Sequence, residues 1–522
     1  VAGLFGGDNA TSDFTVGRNQ VVLADASSHQ VVVQRDGRTV ATYPASYGTG
    51  DLTGDPNRVT RSGIHIVMDK QETTLSSGPP GRPANGAGRC RCTGVGGGRR
   101  GEDDERVRAP AGRLRRSWAR VAVRAGLVAS RLSRRLGVGA GSIIGGRVTL
   151  LLDPSALSGL AGGRRVVLVS GTNGKTTTSH LLAAALRTAG RVAHNATGSN
   201  MADGAVAALA AAGDAEYAVL EVDEWHLAAV ARATRPAVVV LLNLTRDQLD
   251  RGTEVRAVAA AVGGALAGLP RTLVVANADD PMVVWAASRA PRVCWVAAGA
   301  GWLGDTATCP RCGSMLHTDG PAWSCGCGLT RPEPDWWLDG DLLSTGRQVT
   351  RLFLRLPGRC NVGNAAQAVA AAAAVGVPPE RAAAAMGELD AVAGRFAVIG
   401  HGRQELRMLL AKNPAGWAET LTVIDPARPV LIVINAREAD GRDTSWLWDV
   451  PFEKLSCPMI VASGERAADL GVRLSYAGRD HRTEPDPVAA LTLLPPGSID
   501  VVANYTAFHQ LQRRLAAKVS PP

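Results

Sequence analysis

Val166-Val167-Leu168-Val169-Ser170-Gly171-Thr172-Asn173-Gly174-Lys175-Thr176-Thr177 is a short apolar run, a glycine-bearing turn and the start of an Ala-rich segment. An apolar run of this length bounded by a turn reads as a buried strand, and the segment His180–Thr188 reads as a helix. Glycines let backbone N–H groups approach phosphate oxygens closely, and a helix N-terminus adds partial positive charge. Gly171, Thr172, Asn173 and Gly174 therefore form a candidate phosphate cradle. Lys175 is placed to neutralise β- and γ-phosphates and the Thr176 hydroxyl to join a Mg²⁺ shell, with Thr177 completing the set of candidate nucleotide-binding residues. Val169 stands where the common phosphate-loop spacing has its first glycine.

Working outward, short apolar strands alternate with Ala-rich helices. Ala218–Leu220, Ala237–Leu242 and Thr272–Ala276 are further buried strands, and the rhythm predicts a mostly parallel α/β sheet. A second alternating region, 398–522, contains the strands Val430–Ile434 and Met459–Ala462 and is expected to be a separate α/β domain. The central domain spans 113–397 and opens on a helix in which Trp118, Val121, Ala125, Val128 and Leu132 recur at spacings of three and four. Residues 1–75 read as a short β-rich fragment, with strands Gln20–Ala24, Gln30–Gln34 and Thr39–Tyr43 and a hairpin turn at Asp36-Gly37. Residues 76–112, dominated by Gly, Pro and Arg, could not fill a core and read as a linker.

The 522 residues carry a net charge of +10. Between Arg99 and Arg135, twelve arginines against four acidic residues give 12 − 4 = +8, so most of the excess sits in one stretch. A local basic segment of this kind fits a solvated helix face, with attraction to an anionic membrane surface as a second reading; no nucleic-acid partner is expected. No apolar run is long enough to span a bilayer, and Val1–Asn9 lack a signal-peptide pattern, which leads to the expectation of a cytoplasmic protein.

The nine cysteines are too few and too uneven for a disulfide framework. Cys309-Pro310-Arg311-Cys312 and Cys325-Gly326-Cys327 instead have the look of metal chemistry. Four thiolates make a closed tetrahedral Zn²⁺ site, which is structural rather than catalytic, and Gly313 suits the tight turn after the first pair. The zinc ribbon is expected over 305–330.

Gly171-Thr172-Asn173-Gly174-Lys175-Thr176-Thr177 resembles the phosphate loop of the Mur ligase and folylpolyglutamate synthase superfamily. Further segments resemble that superfamily's motifs in order: Leu220–Glu224, Asn243–Arg251, Asn277–Asp280 and Leu356–Ala365. The resemblance implies ATP as substrate, Glu221 as a magnesium ligand beside Thr176, and nucleotide contacts from Asn277, Asp280 and Asn361. With the inserted cysteine cluster, the segments Leu409–Trp417, Ile434–Asp449, Ser463–Arg466 and Asn504–Ala507 resemble the MurT branch over roughly 113–522. That resemblance implies an ATP-dependent ligase of peptidoglycan biosynthesis that amidates the D-glutamate α-carboxylate of the lipid II stem peptide, through an acyl phosphate. It also implies a heterodimer with a GatD-like glutamine amidotransferase subunit that supplies ammonia, at the inner face of the plasma membrane where lipid II resides. An aspartate of this chain would complete the partner's catalytic arrangement, and both Asp443 and Asp449 fit. Lys412 and Asn413 are candidates for nucleotide or acyl-phosphate contact. The alternative is a Mur or folylpolyglutamate-type ligase that adds an amino acid. Many such ligases carry a carbamylated lysine after the Asn243–Arg251 motif, and no lysine occurs here between Asn243 and Val275.

Phe14–Arg18, Ala24–Gln30 and Val59–Met68 resemble the start of a mycobacterial-type L,D-transpeptidase domain. That family's S-x-G-C nucleophile segment and its essential histidine are missing, and Cys90 and Cys92 lie in Gly/Arg-rich sequence. This part is expected to be catalytically inactive, as a fused or frameshifted gene would leave it.

Overall fold

The computed structural model describes residues 12–16, 20–25, 30–35, 38–44, 111–135, 142–246, 254–299, 307–389 and 396–517. Two compact units divide the chain, 1–103 and 104–522. The first holds strands β1 (Ser12–Val16), β2 (Gln20–Asp25), β3 (Gln30–Arg35) and β4 (Arg38–Pro44), an antiparallel meander in sequence order. The three strands read from sequence are β2, β3 and β4; β1 is added to them. Asp36-Gly37 and the segments 45–110 lie outside the described residues, and with them Val59–Met68, Cys90 and Cys92.

The second unit begins with α1 (Ala111–Arg135), which starts inside the stretch read as linker, followed by α2 (Ser142–Leu152) and α3 (Ala156–Ala161). The stripe Trp118, Val121, Val128 and Leu132 does not face the core: each is at least half exposed. The packed face is the small one. A Cβ on Gly126 would fall 2.5 Å from the Gly145 carbonyl oxygen, and one on Gly145 would fall 2.7 Å from that of Gly126. Backbone-to-backbone approach of α1 and α2 thus needs glycine at the crossing, and bulky apolar residues are turned outward.

The central sheet is built from β5 (Arg165–Ser170), α4 (Lys175–Arg187), β6 (Val192–His194), α5 (Ala202–Ala211), β7 (Tyr217–Glu221), α6 (Leu227–Thr234), β8 (Val238–Leu241), α7 (Val255–Ala267), β9 (Leu273–Asn277), α8 (Pro281–Ala287) and β10 (Val293–Ala297). A small hairpin, β11 (His317–Asp319) and β12 (Ala322–Ser324), intervenes before the edge strands β13 (Trp336–Asp339), β14 (Leu342–Ser344) and β15 (Val349–Arg351). The order is β15-β14-β13-β10-β9-β8-β5-β7-β6, parallel from β13 to β6 and antiparallel at β14 and β15. Helices α9 (Arg359–Ala374) and α10 (Pro379–Gly387) cover one face beside α4. Val166 to Val169 are at most 1% exposed because both faces of β5 are covered. Each fully buried Val or Leu contributes roughly 1.5–3 kcal/mol.

A six-stranded sheet follows: β16 (Phe396–His401), β17 (Gln404–Leu410), α11 (Pro414–Val423), β18 (Val430–Val433), β19 (Ile460–Ser463), α12 (Ala467–Tyr476), β20 (Arg482–Thr483), α13 (Pro487–Thr492), β21 (Gly497–Ala503) and α14 (Tyr505–Ala517). Its order is β16-β17-β21-β18-β19-β20, with only the β16–β17 pair antiparallel. The chain is therefore an α/β protein with two mainly parallel sheets.

Candidate nucleotide and magnesium site

In the central sheet β5 lies between β7 and β8, so the chain leaves β5 toward one side and later strands flank it on both. Ligands of open α/β sheets bind at such a switch point, beyond the carboxyl ends of the strands. The loop after β5 sits there. Register pairs Val169 with Glu221 at the end of β7, and Ser170 with Leu241 two residues before Asn243. The sheet thus delivers Glu221 and Asn243 to the loop from opposite sides.

The loop's own glycines are required by space as well as backbone. Gly174 has φ +83 and a Cβ there would meet Asn364 Oδ1 at 2.6 Å; Gly171 has φ +133 and would meet the backbone of Asn243. Asn243 stitches the loop down, its Oδ1 accepting from Asn173 N (2.8 Å) and its Nδ2 donating to Asn173 O (3.0 Å). Thr172 Oγ1 donates to Thr245 O (3.1 Å) and accepts from Thr245 N (3.0 Å).

Lys175 opens α4, and its Nζ donates to the carbonyls of Gly171 and Thr172 and pairs with Glu224 Oε2 at 3.3 Å. Thr176 Oγ1 donates to Glu221 Oε2 at 2.9 Å, and Glu221 is 2% exposed. A hydroxyl and a carboxylate oxygen that close, in a buried spot where no ion pair neutralises the carboxylate among the described residues, fit two oxygen ligands of a magnesium ion. Asn195 fixes Glu221 from behind: its Oδ1 accepts from Glu221 N (2.8 Å) and its Nδ2 donates to Glu221 O (2.9 Å). Sequence reading missed Asn195, Asn364 and Glu224. Of these, Glu224 carried a signal as the last acid of Glu221-Val222-Asp223-Glu224, and Asn364 as a member of the Leu356–Ala365 motif. Beside the site, burial pushes the His180 imidazole below its usual range and takes His194 down to about 3.

A cavity of about 220 Å³ opens next to the loop, between the central sheet and the C-terminal one. Asn173, Gly174, Thr176, Thr177, Asp280, Asn361 and Lys412 line it. Its far wall includes Glu419, whose carboxyl burial pushes above the ordinary range. Among the contacts that cross the cleft are two polar ones. Asn413 Nδ2 donates to Asn173 Oδ1 (3.0 Å), while Asn413 Oδ1 caps α11 by accepting from Gly416 N; Arg246 pairs with Asp449 at 3.4 Å. Other predicted residues have local duties. Asp280 caps α8 through Met282 N and Val283 N and accepts from Leu244 N (3.0 Å). Asn277 accepts from Asp279 N and donates toward Gly299 O, and is not among the lining residues. Asp247–Arg251 lie outside the described residues.

The sulfurs of Cys309, Cys312, Cys325 and Cys327 all lie within 4.8 Å of one another. Both turns end on a left-handed glycine, Gly313 (φ +81) and Gly328 (φ +84), so the second pair makes a knuckle despite its shorter spacing. After this cluster Arg331 Nε bonds Asp279 Oδ1 at 2.8 Å, tying the insertion to the loop that follows β9.

In the C-terminal sheet Asp440, 3% exposed, accepts from Thr506 N (2.8 Å) and from the Thr506 hydroxyl, which pins the loop carrying both aspartates to the start of α14. Asp443 Oδ1 accepts from Ser445 N, whereas Asp449 turns toward Arg246. Trp446 is buried against Trp417, and Trp448 lies more than half exposed beside Tyr476.

The Mur ligase middle domain model matches residues 169–307, and the MurT ligase C-terminal model matches residues 410–508. Over 386 residues the chain is 30% identical to the lipid II isoglutaminyl synthase (glutamine-hydrolyzing) subunit MurT of Streptococcus pneumoniae (strain ATCC BAA-255 / R6), covering 68% of this chain and 86% of that protein. The chain belongs to the MurT family. The front of the chain is similar to something else: 77 residues are 39% identical to L,D-transpeptidase 5 of Mycobacterium tuberculosis (strain ATCC 25618 / H37Rv), 15% of this chain and 16% of that protein. Among solved structures, a pseudomurein peptide ligase type C from Methanothermus fervidus superposes with a TM-score of 0.53 at 18% identity, over 68% of this chain and 79% of that one. At that identity the likeness is one of fold, and the MurT family sequence therefore folds as a Mur ligase.

Proposed function

We infer that this chain is the ligase subunit of a glutamine-dependent synthase that amidates the D-glutamate α-carboxylate of lipid II. The observation that carries the reading is the meeting of Lys175, Thr176 and Glu221 at the head of a cleft, in a chain of the MurT family.

ATP is held with its phosphates over Gly171–Thr177, contacted by Asn361, Lys412 and Asn413, with Asp280 in the wall and Asn277 behind it, bonded to Asp279 N. Thr176 and Glu221 hold Mg²⁺, which supplies charge neutralisation when bound. The acceptor carboxylate attacks the γ-phosphorus, the bond to the bridging oxygen breaks, and ADP leaves. Two anions must meet in that step, and the Lys175 ammonium, held at the carbonyls of Gly171 and Thr172, lowers their repulsion. Ammonia then attacks the acyl carbon, phosphate departs with the bonding pair, and a proton is lost to give the amide. The absence of lysine from Asn243 to Val275 favours ammonia over an amino acid as nucleophile.

Ammonia comes from a GatD-like glutaminase that docks on the C-terminal sheet. Exposed Trp448, Tyr476 and Val472 beside Asp443 and Asp449 support that side as the contact. The four cysteines would hold a Zn²⁺ that supplies a structural cross-link; the close approach of their sulfurs, 3.6 Å for Cys309–Cys327 and 3.4 Å for Cys312–Cys325, supports that reading. The 1–75 fragment takes no part in the reaction, consistent with the missing nucleophile segment.

The test is co-purification with a candidate glutaminase, then lipid II, ATP and glutamine, with amidation read by mass spectrometry. Lys175→Ala should lose about 2–4 kcal/mol of transition-state stabilisation. Phosphate release driven by an amino acid but not by ammonium would instead indicate an amino-acid-adding ligase.

A further inference from the structure

We propose that the outer face of α1 and α2 is an interfacial surface that lies on an anionic lipid bilayer. Three observations carry this. First, a set of bulky apolar side chains on both helices points away from the protein, while Leu150 packs on the core. Trp118, Val121, Val128 and Leu132 on α1 are 50–60% exposed, and Leu151 on α2 is 84% exposed, with Ile143 and Ile144 also exposed. The Trp118 indole donates to Leu152 O at 3.0 Å, so the exposed end of α2 and the exposed stripe of α1 meet in one patch. Scattered apolar residues on a surface need no explanation; a contiguous stripe on two packed helices does.

Second, the charge on these helices has one sign. Helix α1 carries eight arginines in 25 residues and no acidic residue; α2 carries Arg147 and likewise no acidic residue. Exposed Arg120, Arg124 and Arg131 flank the apolar stripe on the side away from the Gly126 crossing, since residues three and four apart share a helix face. Third, no helix among the described residues is long and apolar enough to cross a membrane. A helix of about 37 Å with an apolar stripe bordered by arginines can lie in the headgroup layer, its apolar side chains entering the acyl boundary and its guanidinium groups on lipid phosphates. A nucleic acid would satisfy the arginines but leave the stripe in water. A second copy of the chain would bury the stripe but face its arginines against their like.

The inference goes beyond the proposed reaction and does not depend on it, because the assay uses neither nucleotide nor partner. The full chain is sedimented with vesicles of phosphatidylcholine alone and of phosphatidylcholine with phosphatidylglycerol, at low and high salt. Wild type should bind the anionic vesicles, with affinity that falls as salt rises. Arg120→Gln/Arg124→Gln/Arg131→Gln should weaken binding on the order of 10- to 100-fold. Val121→Ser/Val128→Ser/Leu151→Ser should weaken it at least as much at high salt, where charge attraction is screened. All substituted positions are at the surface, so thermal melts of both variants should match wild type. Loss in only one variant, equal binding to neutral vesicles, a change of oligomeric state in place of lost vesicle binding, or tight binding to duplex RNA without binding to vesicles would each overturn the proposal.

Discussion

Glu224 is the most informative single position to change, because it holds Lys175 only while the phosphates are absent. At 3.3 Å, with the two side chains 10% and 11% exposed, the pair is screened little by solvent. An effective dielectric of about 20 gives roughly 5 kcal/mol of gross attraction at that distance. Most of it is cancelled by the cost of stripping water from both groups, so that a net of about 1–2 kcal/mol remains to be broken when Lys175 turns to a phosphate. Glu224→Gln keeps the shape and removes the charge. The unliganded state then loses that net term and the bound state does not, so ADP should bind about 5- to 30-fold more tightly, each 1.4 kcal/mol being tenfold. Titration calorimetry with ADP in the presence of a chelator isolates the lysine from any metal contribution. The apo protein should also melt at lower temperature, since Lys175 loses the Glu224 carboxylate as a partner. Unchanged or weaker ADP affinity without metal would contradict this picture of the lysine. Weakening confined to magnesium-containing buffer would instead make Glu224 a metal-side carboxylate.

Purified under reducing conditions, the chain should carry one zinc by elemental analysis, and Cys309→Ser/Cys312→Ser should abolish it and expose the 309–330 region to protease; full metal content in that variant would exclude the four-sulfur site. Asp443→Asn should stop glutamine-driven amidation while leaving ammonium-driven amidation within about twofold, whereas Asp449→Asn should depress both, because it releases Arg246; equal effects on both routes would remove the distinction. His194 stays neutral in the fold, its pKa pushed by burial to about 3. Its stabilising contribution is complete above the unfolded pKa of about 6.5 and is lost as pH falls toward 3, amounting to about 2 kcal/mol by pH 5. Urea melts of His194→Gln should therefore show a flatter pH profile over that range than wild type.

The parts legible in the sequence were those governed by local pattern. Four apolar residues before a glycine turn, with an Ala-rich run after it, mark β5 and α4 because a doubly covered parallel strand must be apolar throughout. Alternation of such strands with helices marks the sheet. The order of motifs foreshadows the approach of Thr176 to Glu221, since parallel register fixes where the end of β7 falls relative to the end of β5. What the sequence hid depends on partners distant along the chain. Asn195 reaches the site from another element and nothing in its own neighbourhood signals that, while Asn364 lies in the Leu356–Ala365 motif but is not singled out there as the residue that meets Gly174. Asp280 lines the cavity as the sequence suggested, and it also caps the helix N-terminus of α8, a duty that pattern alone did not separate from ligand contact. Periodicity in α1 correctly gave a helix with an apolar stripe but could not tell that the face of Gly126 would take the packing partner.

The cleft and the loop that carries Asp443 and Asp449 are joined by the same contacts. Asn173 belongs to the phosphate loop and Arg246 follows the Asn243–Thr245 segment to which that loop is stitched, and both reach across to the C-terminal sheet, at Asn413 and Asp449. Asp449 ends the turn Ser445–Asp449 that follows Asp443, and Asp440 anchors the preceding residues to Thr506. With one end of the segment fixed on α14 and the other on Arg246, a shift of the central sheet against the C-terminal one must change the path between them, where Asp443 sits. Packed elements of this kind move between discrete arrangements rather than deforming continuously. We therefore expect nucleotide in the cleft to shift Asp443, and by linkage a partner that fixes Asp443 to change nucleotide affinity; ADP affinity by calorimetry that is the same with and without a bound glutaminase would refute the coupling.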